Sequence, residues 1–367
     1  MSSSISSFDL RRYFAAMAVT AIAGFGAVWI WVMAMPLAFL ESEYASWRAK
    51  QILVERCDLG EVLVLGDSRA TVGIIPALLP VRTTNLAVGG GEAIEALAIL
   101  TRALACPEKP KLVVLSLDAV HFAKPDLFWE RTMRFGFLNA AELAELRDIS
   151  QAVQDRSVYE ERHTDDIPSW LRDRLYLVHF PSLYFGSLIE GRLIWRWRHN
   201  EAGLARSIAA RGQYYFGVDE GSSVVAADGR LPAFRPLPVL ERYFGRILAL
   251  LEERGISSVF VAMPVNDTTA RAIRPEMRDG FAAWLASFEA RYPGFRVVGP
   301  VVRAWEDRWF GDGFSHLNPA GAERFSLQFG AMGVEPGMQE ILGVFGDGRD
   351  RVGQIFLSNE APASRIQ

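Results

Sequence analysis

Glu61-Val62-Leu63-Val64-Leu65-Gly66-Asp67-Ser68 decides the fold of this chain. Four aliphatic residues in a row, ended by a glycine, read as a strand buried on both faces, the mark of a parallel sheet. Strand one is therefore set at Glu61–Leu65. Parallel sheets of this kind bind ligands beyond the carboxyl ends of their strands, and Ser68 falls there. A serine hydroxyl is a weak nucleophile and needs a base beside it. The chain offers an acid and a histidine far downstream, in Asp312-Gly313-Phe314-Ser315-His316-Leu317-Asn318-Pro319.

Working outward, similar runs recur. Thr83–Val88 reads as a shorter second strand, broken by Gly89-Gly90-Gly91. Lys111–Leu117 is the third, Ser257–Met263 the fourth, ending at Pro264, and Phe295–Val298 the fifth. Between them lie amphipathic stretches. Glu92–Ala105 puts Ile94, Leu97, Ala98, Thr101 and Leu104 on one face. Val239–Arg254 is closed by Gly255, and Pro275–Arg291 follows. Pro319 suits a first helical position behind an Asn318 cap. Strands alternating with helices predict an α/β fold with a helix-flanked parallel sheet.

Residues 122–238 break the alternation. They are rich in aromatics and arginine and are expected to form a helical cap or side lobe over the carboxyl edge. Tyr44–Leu59 reads as a helical connector. The organisation expected is a cytoplasmic N-terminus at 1–12, a transmembrane anchor at 13–40, a connector at 41–59, the sheet domain at 60–335 with the 122–238 insertion, and a tail at 336–367. Within the tail, residues 359–367 read as disordered.

The anchor rests on Phe14–Leu40, which contains no charged residue and exceeds the roughly 20 apolar residues a span needs. Arg11 and Arg12 precede it; Glu41 and Glu43 follow. The positive-inside rule puts the N-terminus in the cytoplasm and the remainder outside the inner membrane, in the periplasm. A cleaved signal peptide is the rival reading, but its apolar core is normally about 7–15 residues. With a formal charge of -4, the chain lacks the basic balance of a nucleic-acid protein. Half its 367 residues are hydrophobic, so a sizeable core is expected.

The two cysteines, Cys57 and Cys106, each precede a strand by a few residues and fall at the amino edge of the sheet. They read either as a disulfide in an oxidising compartment or as two buried thiols. His121, His163, His179 and His199 lack metal-ligand spacing, so no metal and no cofactor are expected. No phosphate loop occurs, and Glu92 after the triple glycine opposes a pyrophosphate there. Arg192-Leu193-Ile194-Trp195-Arg196-Trp197-Arg198-His199 reads as one helix with a packed and a solvated face; sugar stacking or a lipid interface is the alternative. Asp67 reads as a turn residue. Arg69 reads as a surface residue or a contact to an anionic or sugar ligand. Taken alone, Ser68, His316 and Asp312 are also ordinary turn and cap residues.

Three blocks together change that reading. Gly66-Asp67-Ser68 after strand one, Asn85-Leu86-Ala87-Val88-Gly89-Gly90 after strand two, and His316-Leu317-Asn318-Pro319-Ala320-Gly321 near the end resemble the SGNH/GDSL hydrolase superfamily. The likeness covers roughly 60–122 and 239–332. With the anchor, the layout resembles bacterial membrane-anchored proteins that handle O-acetyl groups on exported polysaccharides, and the D-alanyl transfer protein of teichoic acid synthesis. The resemblance implies a three-layer, flavodoxin-like sheet. It implies Ser68 as nucleophile, His316 as general base and Asp312 as its orienting acid. The amides of Ser68 and of Gly89 or Gly90 would form the oxyanion hole.

Two positions depart from the pattern. The family's acid usually stands three residues before the histidine, where this chain has Gly313; Asp312 reaches His316 only across a one-residue bulge. The family's third block usually supplies an asparagine donor, where this chain has Asp118. An ionised carboxylate only accepts hydrogen bonds, so Asp118 must be protonated, point away, or leave the hole to backbone donors.

The expected activity is a serine acyl-esterase or O-acetyltransferase acting on a cell-surface or secreted polysaccharide through an acyl-serine. The expected partners are that polymer, a multi-spanning membrane acyltransferase or polysaccharide synthase, and the lipid bilayer through the N-terminal helix. A catalytically degenerate domain that binds polysaccharide or scaffolds a synthase complex is the first alternative; a lipid esterase or thioesterase is the second.

Overall fold

The computed structural model describes residues 10–125, 127–159 and 167–332. At its centre Val62–Gly66 (β1) pairs in parallel with Thr83–Asn85 (β2) on one side and Leu112–Ser116 (β3) on the other. Ser257–Phe260 (β4) continues the sheet beside β3. Pro264–Asn266 (β5) leaves it, Phe295–Val297 (β6) closes its far edge, and Arg303–Trp305 (β7) pairs with β5 in a separate two-stranded sheet. The large sheet runs β2-β1-β3-β4-β6. This is a doubly wound order, with its switch point between β1 and β3.

Thirteen α-helices are described: Leu10–Ala34 (α1), Glu43–Glu55 (α2), Ser68–Gly73 (α3), Ala93–Ala103 (α4), Val120–Ala123 (α5), Ala140–Ala152 (α6), Ser169–Leu177 (α7), Phe185–Leu193 (α8), Arg196–Ala209 (α9), Pro238–Glu253 (α10), Asp267–Ala272 (α11), Pro275–Arg291 (α12) and Pro319–Met332 (α13). Strand alternation divides the core in two. Leu63, Leu65, Val113 and Leu115 face a large cluster built from α4, α10 and α12. Val62, Val64 and Val114 face a smaller one built from α3 and α13. Both sheet faces are thus covered, which is why the strands read as unbroken aliphatic runs.

Several expected boundaries move. Strand two ends at Asn85, not Val88: the Asn85 side chain accepts from the Ala87 amide and donates to the carbonyls of Ala70 and Ile74. Strand four ends at Phe260, not Met263, because the chain turns off to form β5. The Arg192–His199 run is not one helix. Trp195 takes a left-handed φ of 54°, which ends α8 and starts α9.

Residues 122–238 contain helices and no strand among the described residues. Only part of the segment reaches the carboxyl edge. α6 lies against α10, α9 packs along α2, and the stretch 211–230 runs past β2 and over the loop before α13. There Asn85 N–H donates to Arg211 O (2.9 Å) and Asp219 N–H to Gly311 O (3.2 Å).

α1 is long and apolar enough to cross a membrane; a single span and a signal sequence both fit its length and composition. The expected cytoplasmic residues 1–9, His163 and the tail at 336–367 lie outside the described residues. At the amino edge Cys57 and Cys106 form a disulfide, their Cα atoms 5.6 Å apart.

Candidate active site

The turn after β1 is fixed by close packing. A Cβ on Gly66 would lie 1.9 Å from Ser116 O, so only glycine lets β1 and β3 approach there. Asp67 then caps α3. Its Oδ1 accepts from Arg69 N–H (2.9 Å), and its Oδ2 accepts from Asp118 N–H (2.7 Å). Ser68 opens α3, half-buried, and its N1 amide has no acceptor within its own helix.

The loop after β2 lies beside this turn. Val88 N–H donates to Gly66 O at 3.0 Å. Gly90 has a left-handed φ of 67°. The amides of Gly89 and Gly90 donate to no group among the described residues. Gly89 is hemmed in from outside. A Cβ there would lie 1.8 Å from Glu43 Oε1 and 2.9 Å from the Phe216 ring. Glu43, at the start of α2, is itself paired with Arg131 at 3.0 Å.

Asp312 and His316 meet. His316 Nδ1 lies 2.6 Å from Asp312 Oδ2, while Asp312 Oδ1 accepts from Phe314 N–H (2.8 Å) and His316 N–H (3.3 Å). The bulge that spans the extra residue is Ser315, at a left-handed φ of 62°. Burial alone would raise the Asp312 carboxyl, but the hydrogen bond and charge of His316, with both amides, hold it below its ordinary value. The imidazole packs on Phe216, ring centres 5.0 Å apart. Its Nε2 is buried and has no hydrogen-bond partner, so Ser68 Oγ is not bonded to it. Asn318 caps α13 through Gly321 N–H (2.9 Å).

Arg69 is not a surface residue. It is 6% exposed. Its Nε lies 2.8 Å from Asp118 Oδ2 and donates to Phe314 O at 3.1 Å, and its Nη2 is bonded to Asp228. One guanidinium thus joins the residue after Ser68, the end of β3, the 227–230 turn and the His316 loop. Arg69 is thus a buried clamp between these segments. Asp118 does not point away: it sits in this cluster. Burial pushes its carboxyl well up, with Asp67 and Asp228 adding to the rise and Arg69 opposing it. Three carboxylates around one cation favour keeping a proton on one of them.

Asp67, Asp118 and His121 bring a ligand atom each within 4.8 Å of one another. The donor chemistry suits hydrogen bonding better than a cation. Asp67 accepts from backbone amides, and Asp118 faces a guanidinium.

Sequence reasoning missed Glu43, Phe216 and Asp228. All three come from stretches without a strand or a motif. Compared with protein-family models, with curated proteins and with solved structures, this chain matches none.

Proposed function

We propose that this chain is an SGNH-type serine acyl-esterase or O-acetyltransferase, with 122–238 as a helical insertion in a three-layer, flavodoxin-like domain. The observation that carries the reading is the Asp312–His316 pair, with a buried, unpartnered Nε2 at the sheet edge where Ser68 opens α3. Arg69 supports it by tying the Ser68 turn to the His316 loop through Phe314 O.

In the proposed reaction His316 Nε2 takes the Ser68 proton as Oγ attacks the acyl carbon. Asp312 steadies the imidazolium that forms. The tetrahedral oxyanion is met by the amides of Ser68, Gly89 and Gly90. A preorganised donor of this kind is worth about 3–4 kcal/mol. The carbon–oxygen bond to the leaving alcohol then breaks, and the alkoxide takes the proton from His316. Water or a sugar hydroxyl resolves the acyl-serine by the reverse steps. A protonated Asp118 neither carries charge nor repels the oxyanion, so the aspartate in the asparagine position is compatible with catalysis.

The proposed substrate class is a cell-surface or secreted polysaccharide. The proposed setting is the inner membrane, with α1 retained as a single span, the N-terminus cytoplasmic and the main domain periplasmic. A multi-spanning acyltransferase or polysaccharide synthase is the proposed partner. The second reading, a degenerate domain that only binds the polymer, is favoured by the absence of a Ser68–His316 bond. The test is hydrolysis of p-nitrophenyl acetate by the full chain in detergent, wild type against Ser68→Ala. Equal rates would overturn the enzyme reading.

A further inference from the structure

Helix α8 is inside out for a water-exposed helix. Its buried side is small and polar: Ser187 and Gly191 face inward. A Cβ on Gly191 would lie 2.3 Å from Phe39 Cα and 2.7 Å from Ala38 O. Its outward side carries an apolar stripe, with exposed Glu190 and Arg192 beside it. Phe185, Ile189 and Leu193 recur every four residues on one face, and they are 60%, 42% and 73% exposed. Just past the end of α8, Ile194 and Trp195 are exposed too, at 64% and 68%. Trp170 and Val178, at either end of α7, are exposed as well. A soluble surface rarely carries so continuous an apolar patch without a partner.

The chain itself indicates the partner. The residues α8 packs on, Ala38 and Phe39, are those through which the chain leaves α1. The α7–α8 connection also lies along α1. Trp29 Nε1 donates to Val178 O at 2.8 Å, and the Phe180 ring lies 5.5 Å from Phe25 and 5.6 Å from Trp29. At a rise of about 1.5 Å per residue, Trp29 lies roughly 7 Å and Phe25 roughly 13 Å below the Ala34 end of α1. Whatever surrounds the last third of α1 therefore reaches the level of residues 178–180. Charge fits the same occupant. Exposed Arg192 sits over Trp195 (4.9 Å) and exposed Arg174 over Trp170 (5.5 Å). Arginine beside tryptophan on an apolar face suits the headgroup level of a bilayer with anionic lipid.

We propose that α7 and α8, residues 169–195, form a second membrane contact, lying in the headgroup–acyl boundary of the leaflet from which α1 emerges. The proposal rests on α1 being a retained span. One helix alone leaves a domain free to rotate and tilt about its tether. A second contact fixes which face of the domain looks at the membrane.

The test uses the full chain in nanodiscs of phosphatidylcholine and phosphatidylglycerol. Because the native cysteines are joined to each other, single labelling sites are added by Ile189→Cys and Leu193→Cys on α8. Ile22→Cys on α1 and Val218→Cys, at an exposed site by the His316 loop, are the references. Spin labels are then compared for access to oxygen and to a water-soluble nickel chelate. The expected result is that positions 189 and 193 favour oxygen over nickel several-fold, as position 22 does, while position 218 favours nickel. If position 22 is in lipid but 189 and 193 behave like 218, the second contact is refuted while the span stands. If 189 and 193 are shielded from both reagents, a protein covers the patch and the proposal fails. If position 22 is itself in water, the span reading fails and takes this proposal with it.

Discussion

The two edges of the five-stranded sheet are held by different chemistry. At the amino edge Cys57, before β1, is bonded to Cys106, before β3, with Cα atoms 5.6 Å apart. That link is covalent and indifferent to proton activity. At the carboxyl edge Arg69 gathers Asp118, Asp228 and the carbonyl of Phe314 without a covalent bond. One edge fixes the register of neighbouring strands. The other holds the proposed site, whose charged parts pair with one another. The difference separates stability from chemistry: damage at the amino edge should cost fold strength alone, and damage at the carboxyl edge should cost activity first.

The sharpest way to break the comparison is at the reacting groups. Ser68→Ala and His316→Ala should each lower ester cleavage or acetyl transfer by ~10⁴-fold or more, since members of such a unit act together. Thermal melting of both variants should stay within the spread of wild type. Activity near wild type in Ser68→Ala would mean that the carboxyl edge is not catalytic.

Removing the clamp should have the next largest effect. Arg69→Met leaves Asp118 and Asp228 buried without their cation. Breaking a buried pair on one side typically costs about 3–5 kcal/mol. Urea denaturation of the full chain in detergent would measure it. The same variant frees Phe314 O, so turnover should fall more than melting alone explains. A variant that lost stability and kept its full rate would show that Arg69 does not position the His316 loop.

How far this edge was legible follows from the physics of each residue. Val62–Leu65 announced itself because a strand covered on both faces has no polar positions to interrupt it. The places of Ser68 after β1 and of His316 before α13 were legible from their blocks. The reach of Asp312 across a one-residue bulge was expected too, and His316 Nδ1 meets it; the means was not legible, because it depends on Ser315 adopting a left-handed φ without being glycine. Arg69 read as exposed because arginine normally is; its burial follows only once Asp118 and Asp228 are brought to it from distant stretches. Glu43 and Phe216 reach Gly89 by tertiary packing, which no local period encodes. β5 and β7 pair over three residues each, too short for alternation to register.

The amino edge gives the third test. Cys57→Ser with Cys106→Ser opens a link that spans 49 positions. The chain-entropy estimate for that loop is about 4 kcal/mol, with engineered cases often nearer 2. Denaturation midpoints should fall accordingly, while the rate at 25 °C of the protein that remains folded stays near wild type. A matching loss of rate would show that the two edges are coupled through β1 and β3, and the comparison would fail.

The smallest effect is expected at Asp118, and its sign is informative. The folded carboxyl is raised by burial and by Asp67 and Asp228. A raised carboxyl favours the protonated folded form, so its contribution is unpenalised below the ordinary carboxylate pKa. The penalty grows as pH rises from there towards the folded pKa, where Asp118 ionises and would begin to oppose the proposed oxyanion. Asp118→Asn keeps an oxygen for Arg69 and cannot ionise. It should hold the rate within about threefold of wild type at low pH, because a neutral acid and an amide are both donors. It should also remove the stability loss that builds between the ordinary carboxylate pKa and the raised folded one, and any loss of rate as Asp118 ionises there. Rate and denaturation profiles of the two proteins, measured over the same pH range, would show this as divergence with rising pH. If Asp118→Asn instead abolished activity at every pH, the carboxylate would be needed in its charged form, and Arg69 would be held by ionic pairing on both sides.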